Sequence, residues 1–277
     1  MEFVQHLLDY KFLSNALIIS IVVGIVCGTV GCLIVLRGLS LMGDAMSHAV
    51  LPGVALSFLF NIPMFIGALI TGMIASIFIG FITKNSKTKP DAAIGISFTA
   101  FLAMGIILIS LINSTTDLYH ILFGNLLAVT QSTFWSTIVV GVLVMILIIL
   151  FYRPLMVSTF DPVFSRMSGL NTTITHYFVM LLLSLVIVAS IQTVGIILVV
   201  ALLITPASAA FLIAKKLHTM MIISSLFSTI SAIVGLYFSY LYNLPSGATI
   251  VLCAFLIYIV IFILSKLQIC NKKGQTI

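Results

Sequence analysis

Apolar residues run almost unbroken along this chain, and polar positions gather into short clusters that cut the run into blocks. The stretches 12–36, 45–83, 92–116, 118–152, 167–214 and 217–265 contain no Asp, Glu, Lys or Arg. Clusters rich in Pro, Gly, Asn and Lys divide them further, at Asn61–Pro63, Lys84–Pro90, Arg153–Pro154, Gln192–Gly195, Lys215–His218 and Asn243–Gly247. A helix needs about 20 apolar residues to cross a bilayer. The pattern therefore predicts nine crossings, at 14–36, 41–60, 62–83, 92–112, 133–152, 176–192, 195–213, 219–241 and 247–266. The segment 117–131 is too short to cross alone and is expected to form a short or re-entrant helix. Membrane β-strands would alternate in polarity over roughly ten residues, and these runs do not alternate.

Composition agrees with the pattern. The chain is 62% hydrophobic and 6% charged, against about 25% charged for a soluble domain. Its solvent must be largely the lipid bilayer, and the expected fold class is an all-α polytopic transmembrane bundle. Residues 1–277 are expected to form one membrane domain, with 1–13 as an N-terminal segment and 267–277 as a cytoplasmic tail. Orientation follows the Lys/Arg bias toward the cytoplasm. With the N-terminus outside, eleven of the twelve Lys and Arg fall inside, leaving only Lys11 outside. The net charge of +6 is thus topological and does not mark a nucleic-acid surface. Glu2, Asp9 and Lys11 make a poor signal-peptide n-region, so the first span is expected to remain in the protein. Cys27, Cys32, Cys253 and Cys270 suggest neither a disulfide framework nor a zinc knuckle. No GxxxxGK[ST] loop occurs, so nucleotide binding would have to come from another chain.

One polar pair breaks the pattern. Of the six acids, Asp44 alone falls within a predicted span, and His48 follows one helical turn later. At 1.5 Å per residue, and with Arg37 at the inner boundary, Asp44 lies about 10 Å and His48 about 16 Å into the membrane. A charge at such depth costs about 2.5–3.5 kcal/mol on insertion scales, and such residues face a cavity, a partner or a substrate route. The i, i+4 spacing sets both side chains on one helical face. One oxygen and one nitrogen donor suit Mn, Zn or Fe(II) rather than Mg or Ca. Gly43 and Gly53 are expected to permit close helix approach, Pro52 to interrupt the helix, and Ser47 to add a polar contact along the pathway. Two other readings stay open: structural hydrogen bonding between the pair or to neighbouring helices, and a proton relay.

The run "RGLSLMGDAMSHAVLPGVALSF" at 37–58 closely resembles the signature of the ABC-3 family of metal-transporter permeases. "DLYHILFGNLLAV" at 117–129, "FDPVFSRMSGL" at 160–170 and "VGIILVVALLITPASAAFLIA" at 194–214 match in order and spacing. The resemblance implies a type II ABC importer-like permease in a bacterial plasma membrane. It implies a homodimer that docks two cytoplasmic ATPase subunits and receives manganese, zinc or iron from an extracellular metal-binding protein. It also associates the Asp and His of the GD-x-x-SH motif, here Asp44 and His48, with an intramembrane metal site. The stretch from Pro206 to Lys216 looks like the coupling region, with Pro206 opening a short helix, Ala207 and Ala210 allowing close packing, and Lys215 and Lys216 at its end. The loop with Asp161, Arg166 and Gly169 is a second candidate ATPase contact.

Asp117 and His120, three residues apart near the outer face, form a candidate outer site that an interfacial helix start explains equally well. His6, His176 and His218 sit at segment ends, and Trp135 reads as an interface anchor. A secondary carrier driven by protons through Asp44 and His48 is the alternative function. An intramembrane metallo-enzyme would need a third ligand, and no HExxH or comparable cluster appears.

Overall fold

The computed structural model describes residues 11–87, 89–111, 126 and 129–273. Within them the chain is all-α. The helices are α1 (Lys11–Leu36), α2 (Ser40–Ala49), α3 (Leu51–Phe60), α4 (Met64–Asn85), α5 (Pro90–Leu111), α6 (Gln131–Leu150), α7 (Tyr152–Phe160), α8 (Pro162–Met167), α9 (Thr172–Val194), α10 (Ile196–Ile213), α11 (Leu217–Tyr242) and α12 (Ser246–Lys273). With α2 and α3 taken as one span, nine helical segments among the described residues are long and apolar enough to cross a membrane. Their bounds agree with the sequence reading to within a few residues. Helices are the expected outcome, because lipid offers no hydrogen bonds and each backbone group must be satisfied within its own segment.

Polar residues set the helix ends. Asn61 and Asn243 close α3 and α11 in the left-handed region, each with φ 52°. In both, the next residue's N–H returns to a serine carbonyl, Ile62 to Ser57 at 3.0 Å and Leu244 to Ser239 at 3.1 Å. Asp161 caps α8 by accepting from the Phe164 N–H at 2.8 Å, with Pro162 in the first turn. Asn171 caps α9 by accepting from the N–H groups of Thr173 and Ile174. The segment 153–175, expected as a simple inner loop, therefore carries most of α7 and all of α8 before α9 begins.

Small residues let the helices meet. α1 lies at the centre, against α6, α9, α10 and α11. A Cβ on Gly28 would stand 2.9 Å from Ser225 backbone atoms, and one on Gly31 would run into the Leu203 carbonyl of α10. Ser224 of α11 donates to the Gly28 carbonyl at 2.8 Å, an interhelical bond across that close approach. Gly53 of α3 and Gly67 of α4 face each other so closely that a Cβ on either would meet the other's carbonyl. Gly43 does not match its expected role, because a Cβ there would find only Leu203 Cδ2 at 3.9 Å, an ordinary contact.

Candidate metal site in the second span

The second span is two helices. Pro52 has no N–H, so the His48 carbonyl four residues earlier loses its usual donor, and α2 gives way to α3 at Val50. The Val50 carbonyl takes the Thr71 hydroxyl at 3.4 Å in addition to backbone donors. The break lies directly beyond His48 and fixes where α2 ends.

Asp44 and His48 share one face of α2. Asp44 Oδ1 stands 3.7 Å from His48 Nε2, beyond hydrogen-bond length. The Asp44 side chain is 55% exposed and that of His48 21%. The carboxylate thus opens out of its own bundle, while the imidazole leans inward. Its ring meets Phe98 of α5 edge-on, with centroids 5.2 Å apart. His48 Nδ1 is buried and has no hydrogen-bond partner among the described residues. An ion about 2.1 Å from each donor bridges a gap of up to roughly 4.2 Å, so a single transition-metal ion can touch both atoms. Among the described residues no group of three or more His, Cys, Asp or Glu could hold a metal. Further ligands would have to come from outside this set.

The other expected site residues lie elsewhere. Ser47 and Pro52 are both buried within the chain. Ser47 is buried and donates to the Gly43 carbonyl at 2.9 Å, within its own helix. Pro52 is buried against α5, where a Cβ on Gly105 would stand 3.2 Å from it. No separate coupling helix begins at Pro206, which sits inside the continuous α10. Pro206, Ala207 and Ala210 are buried in the bundle, with Ala207 close to Gly31 of α1. The alanines allow close packing, as expected, but against the chain's own helices. Only Lys215 and Lys216, in the turn after α10, are exposed. Asp117 and His120 lie outside the described residues, as does most of 117–131 and His6. His218 is exposed at the start of α11.

Two features went unread in the sequence. The first is an exposed apolar surface on the end of α7 and on α8, formed by Phe160, Val163, Phe164 and Met167. The Asp161–Pro162 cap was its available signal, because it starts a helix whose apolar residues have no bundle to enter. The second is Arg37. Its Nη2 donates to Ser158 Oγ at 2.7 Å and its Nε to Thr159 Oγ1 at 3.1 Å. Burial lowers its pKa to about 10, so it keeps its charge at neutral pH. It ties the residue three before α2 to α7.

The family model of the ABC 3 transport family matches residues 9–265. A manganese transport system membrane protein, MntC, of Listeria monocytogenes is 53% identical, with all of both chains covered. A manganese import system permease protein, ScaB, of Streptococcus gordonii is 52% identical over 98% of each chain. Among solved structures, PsaBC from Streptococcus pneumoniae in complex with Fab superimposes with a TM-score of 0.86 at 49% identity, covering 94% of each chain.

Proposed function

Because this chain belongs to the ABC 3 transport family, we propose that it is the membrane subunit of an ATP-driven manganese importer, and that Mn2+ passes between Asp44 and His48. Membership makes it a multi-pass plasma-membrane component of a metal-transport system, and a transport subunit rather than an enzyme. The observation that carries the metal reading is the carboxylate of Asp44. It is half exposed within a span, one turn from an imidazole with a partnerless buried nitrogen, and 3.7 Å from that ring's other nitrogen. A mixed oxygen and nitrogen donor pair suits a borderline divalent ion. The names of the similar MntC and ScaB proteins support manganese over zinc or iron. Two donors per chain hold an ion weakly enough to release it, which a conduit requires.

Exposure of Asp44 also favours a homodimer. A carboxylate cannot face hydrocarbon cheaply, and Leu41, Asp44 and His48 form one stripe along α2. A second copy against that stripe would exclude lipid, and its own Asp44 and His48 would complete the ligand set. The Lys/Arg bias supports an external N-terminus and a cytoplasmic C-terminus. On that orientation the apolar surface of α8 faces the cytoplasm, where it suits ATPase docking better than the buried Pro206, Ala207 and Ala210. Lys215 and Lys216 remain available at the rim of that contact. The cycle then runs from ATPase closure, through α8 and α7, to Arg37 and the α2 helix that carries the site. A metal-binding protein outside would supply the ion.

The test is ATP-dependent uptake of radioactive manganese into proteoliposomes holding the permease and its ATPase, with unlabelled Mn2+, Zn2+ and Fe2+ as competitors. Manganese is expected to compete best. Uptake that is independent of ATP but driven by a proton gradient would contradict the reading.

A further inference from the structure

A second polar feature of the chain stands apart from the metal reading. At the end of the bundle that carries α7 and α8, a cavity of about 550 Å³ opens between α1, α4, α5, α7, α8 and the start of α9. Two guanidinium groups line it, from Arg37 and Arg166, together with the His176 imidazole. Among the described residues no carboxylate lines it. Among the described residues neither arginine has a carboxylate within 4.0 Å. Their side-chain hydrogen-bond partners among the described residues are neutral hydroxyls. Arg37 donates to Ser158 and Thr159, and Arg166 Nε donates to Thr172 Oγ1 at 3.3 Å. Each guanidinium carries five N–H donors, so several have no acceptor among the described residues.

This arrangement cannot serve a cation. Two like charges in one partly enclosed space repel each other, and a metal ion would add to that repulsion. An anion reverses the sign. It would be attracted by both forks, and two phosphate oxygens match the bidentate geometry of a guanidinium. Hydroxyl groups on Thr172, Thr173 and Tyr177 supply neutral donors beside them. The rest of the wall is apolar, with Leu36, Ile79, Ile94 and Met180, which fits a ligand whose charged end is joined to a greasy one. Basic pockets between membrane helices hold anionic lipid headgroups on this physical basis.

We infer that the Arg37–Arg166 cavity binds a phosphate-bearing anion. The ligand is either the headgroup of an anionic phospholipid or free phosphate. Bound there, it would clamp α8 to the ends of α1 and α9 and so stiffen the inner helices.

The experiment uses the full chain, purified in detergent and stripped of lipid. It is titrated with inorganic phosphate, with dihexanoyl phosphatidylglycerol, and with dihexanoyl glycerol, which lacks the headgroup. Thermal unfolding is the readout. At least one of the two anions is expected to raise the midpoint saturably, while dihexanoyl glycerol does not. If phosphate alone binds as tightly as the lipid, the ligand is free phosphate; if only the lipid acts, it is the headgroup. Arg166→Gln, on an exposed helix, is expected to weaken the effective anion at least ~10-fold, as loss of a charged hydrogen-bonding partner does. Arg37→Gln is the second variant. No saturable shift with either anion, an equal shift with dihexanoyl glycerol, or unchanged affinity in both variants would overturn the inference.

Discussion

Arg37 donates to Ser158 Oγ at 2.7 Å, joining the start of the site-bearing helix α2 to a segment 121 residues further along the chain. With its second bond to Thr159, this is the polar link between the α7–α8 elbow and Asp44. Charged hydrogen bonds contribute about 1.5–3 kcal/mol each. Arg37→Met is therefore expected to lower manganese uptake roughly 10-fold while ATP hydrolysis by the complex persists. The check is metal transported per ATP hydrolysed. An unchanged ratio would show that force does not travel this way.

The glycine contacts predict a stability effect. Gly31→Ala drives a methyl into the Leu203 carbonyl, and Gly53→Ala drives one into the Gly67 carbonyl. Backbone atoms cannot step aside as a flexible side chain can. Each substitution is expected to cost about 1–3 kcal/mol and to lower the thermal midpoint in detergent. Gly43→Ala, with only an ordinary contact ahead of it, should unfold like the parent chain.

Met167 is 83% exposed on α8. If the ATPase docks there, Met167→Glu places a charge in an apolar contact and should reduce co-purification of the ATPase at least ~10-fold, as hot-spot losses do. Lys215→Ala with Lys216→Ala should have a smaller effect. Retention of the ATPase by Met167→Glu would move the docking surface away from α8.

These regions differ in how far the sequence could show them. The spans were legible because charge is excluded from hydrocarbon and the helix length is set by its thickness. The inward faces were not. Ile148 is 2% exposed and its neighbour Ile149 is 71% exposed, yet they are the same residue in the same helix. Lipid and protein core are equally apolar, so no periodicity separates them. Asp44 and His48 stood out because a charge in a span is rare. The direction of the Ser47 hydroxyl was not legible, because spacing alone cannot tell a hydroxyl turned to its own helix from one turned to a neighbour. The buried position of Ala207 and Ala210 was hidden for a related reason. Small residues mark close approach, but they do not name the partner, which for Ala207 proved to be Gly31 of α1.

Leu41 lies one turn before Asp44 on the same stripe and is 57% exposed. If a second copy covers that stripe, Leu41→Cys should form an intermolecular disulfide under mild oxidation in membranes. Dimer bands on a non-reducing gel would be the readout. The parent chain, which carries Cys27, Cys32, Cys253 and Cys270, is the control. A chain that stays monomeric with Leu41→Cys would place the carboxylate against something other than a second copy.

Whether manganese passes between Asp44 and His48 is decided by ATP-driven manganese uptake by Asp44→Asn and His48→Gln in proteoliposomes, with ATPase association and dimer content measured on the same samples. Replacing the charged carboxylate or the imidazole by a neutral amide, a poorer metal donor, is expected to reduce uptake at least ~10-fold in each variant, with assembly intact. Normal manganese flux in both variants would mean that the ion does not pass between them and leave the pair a structural one.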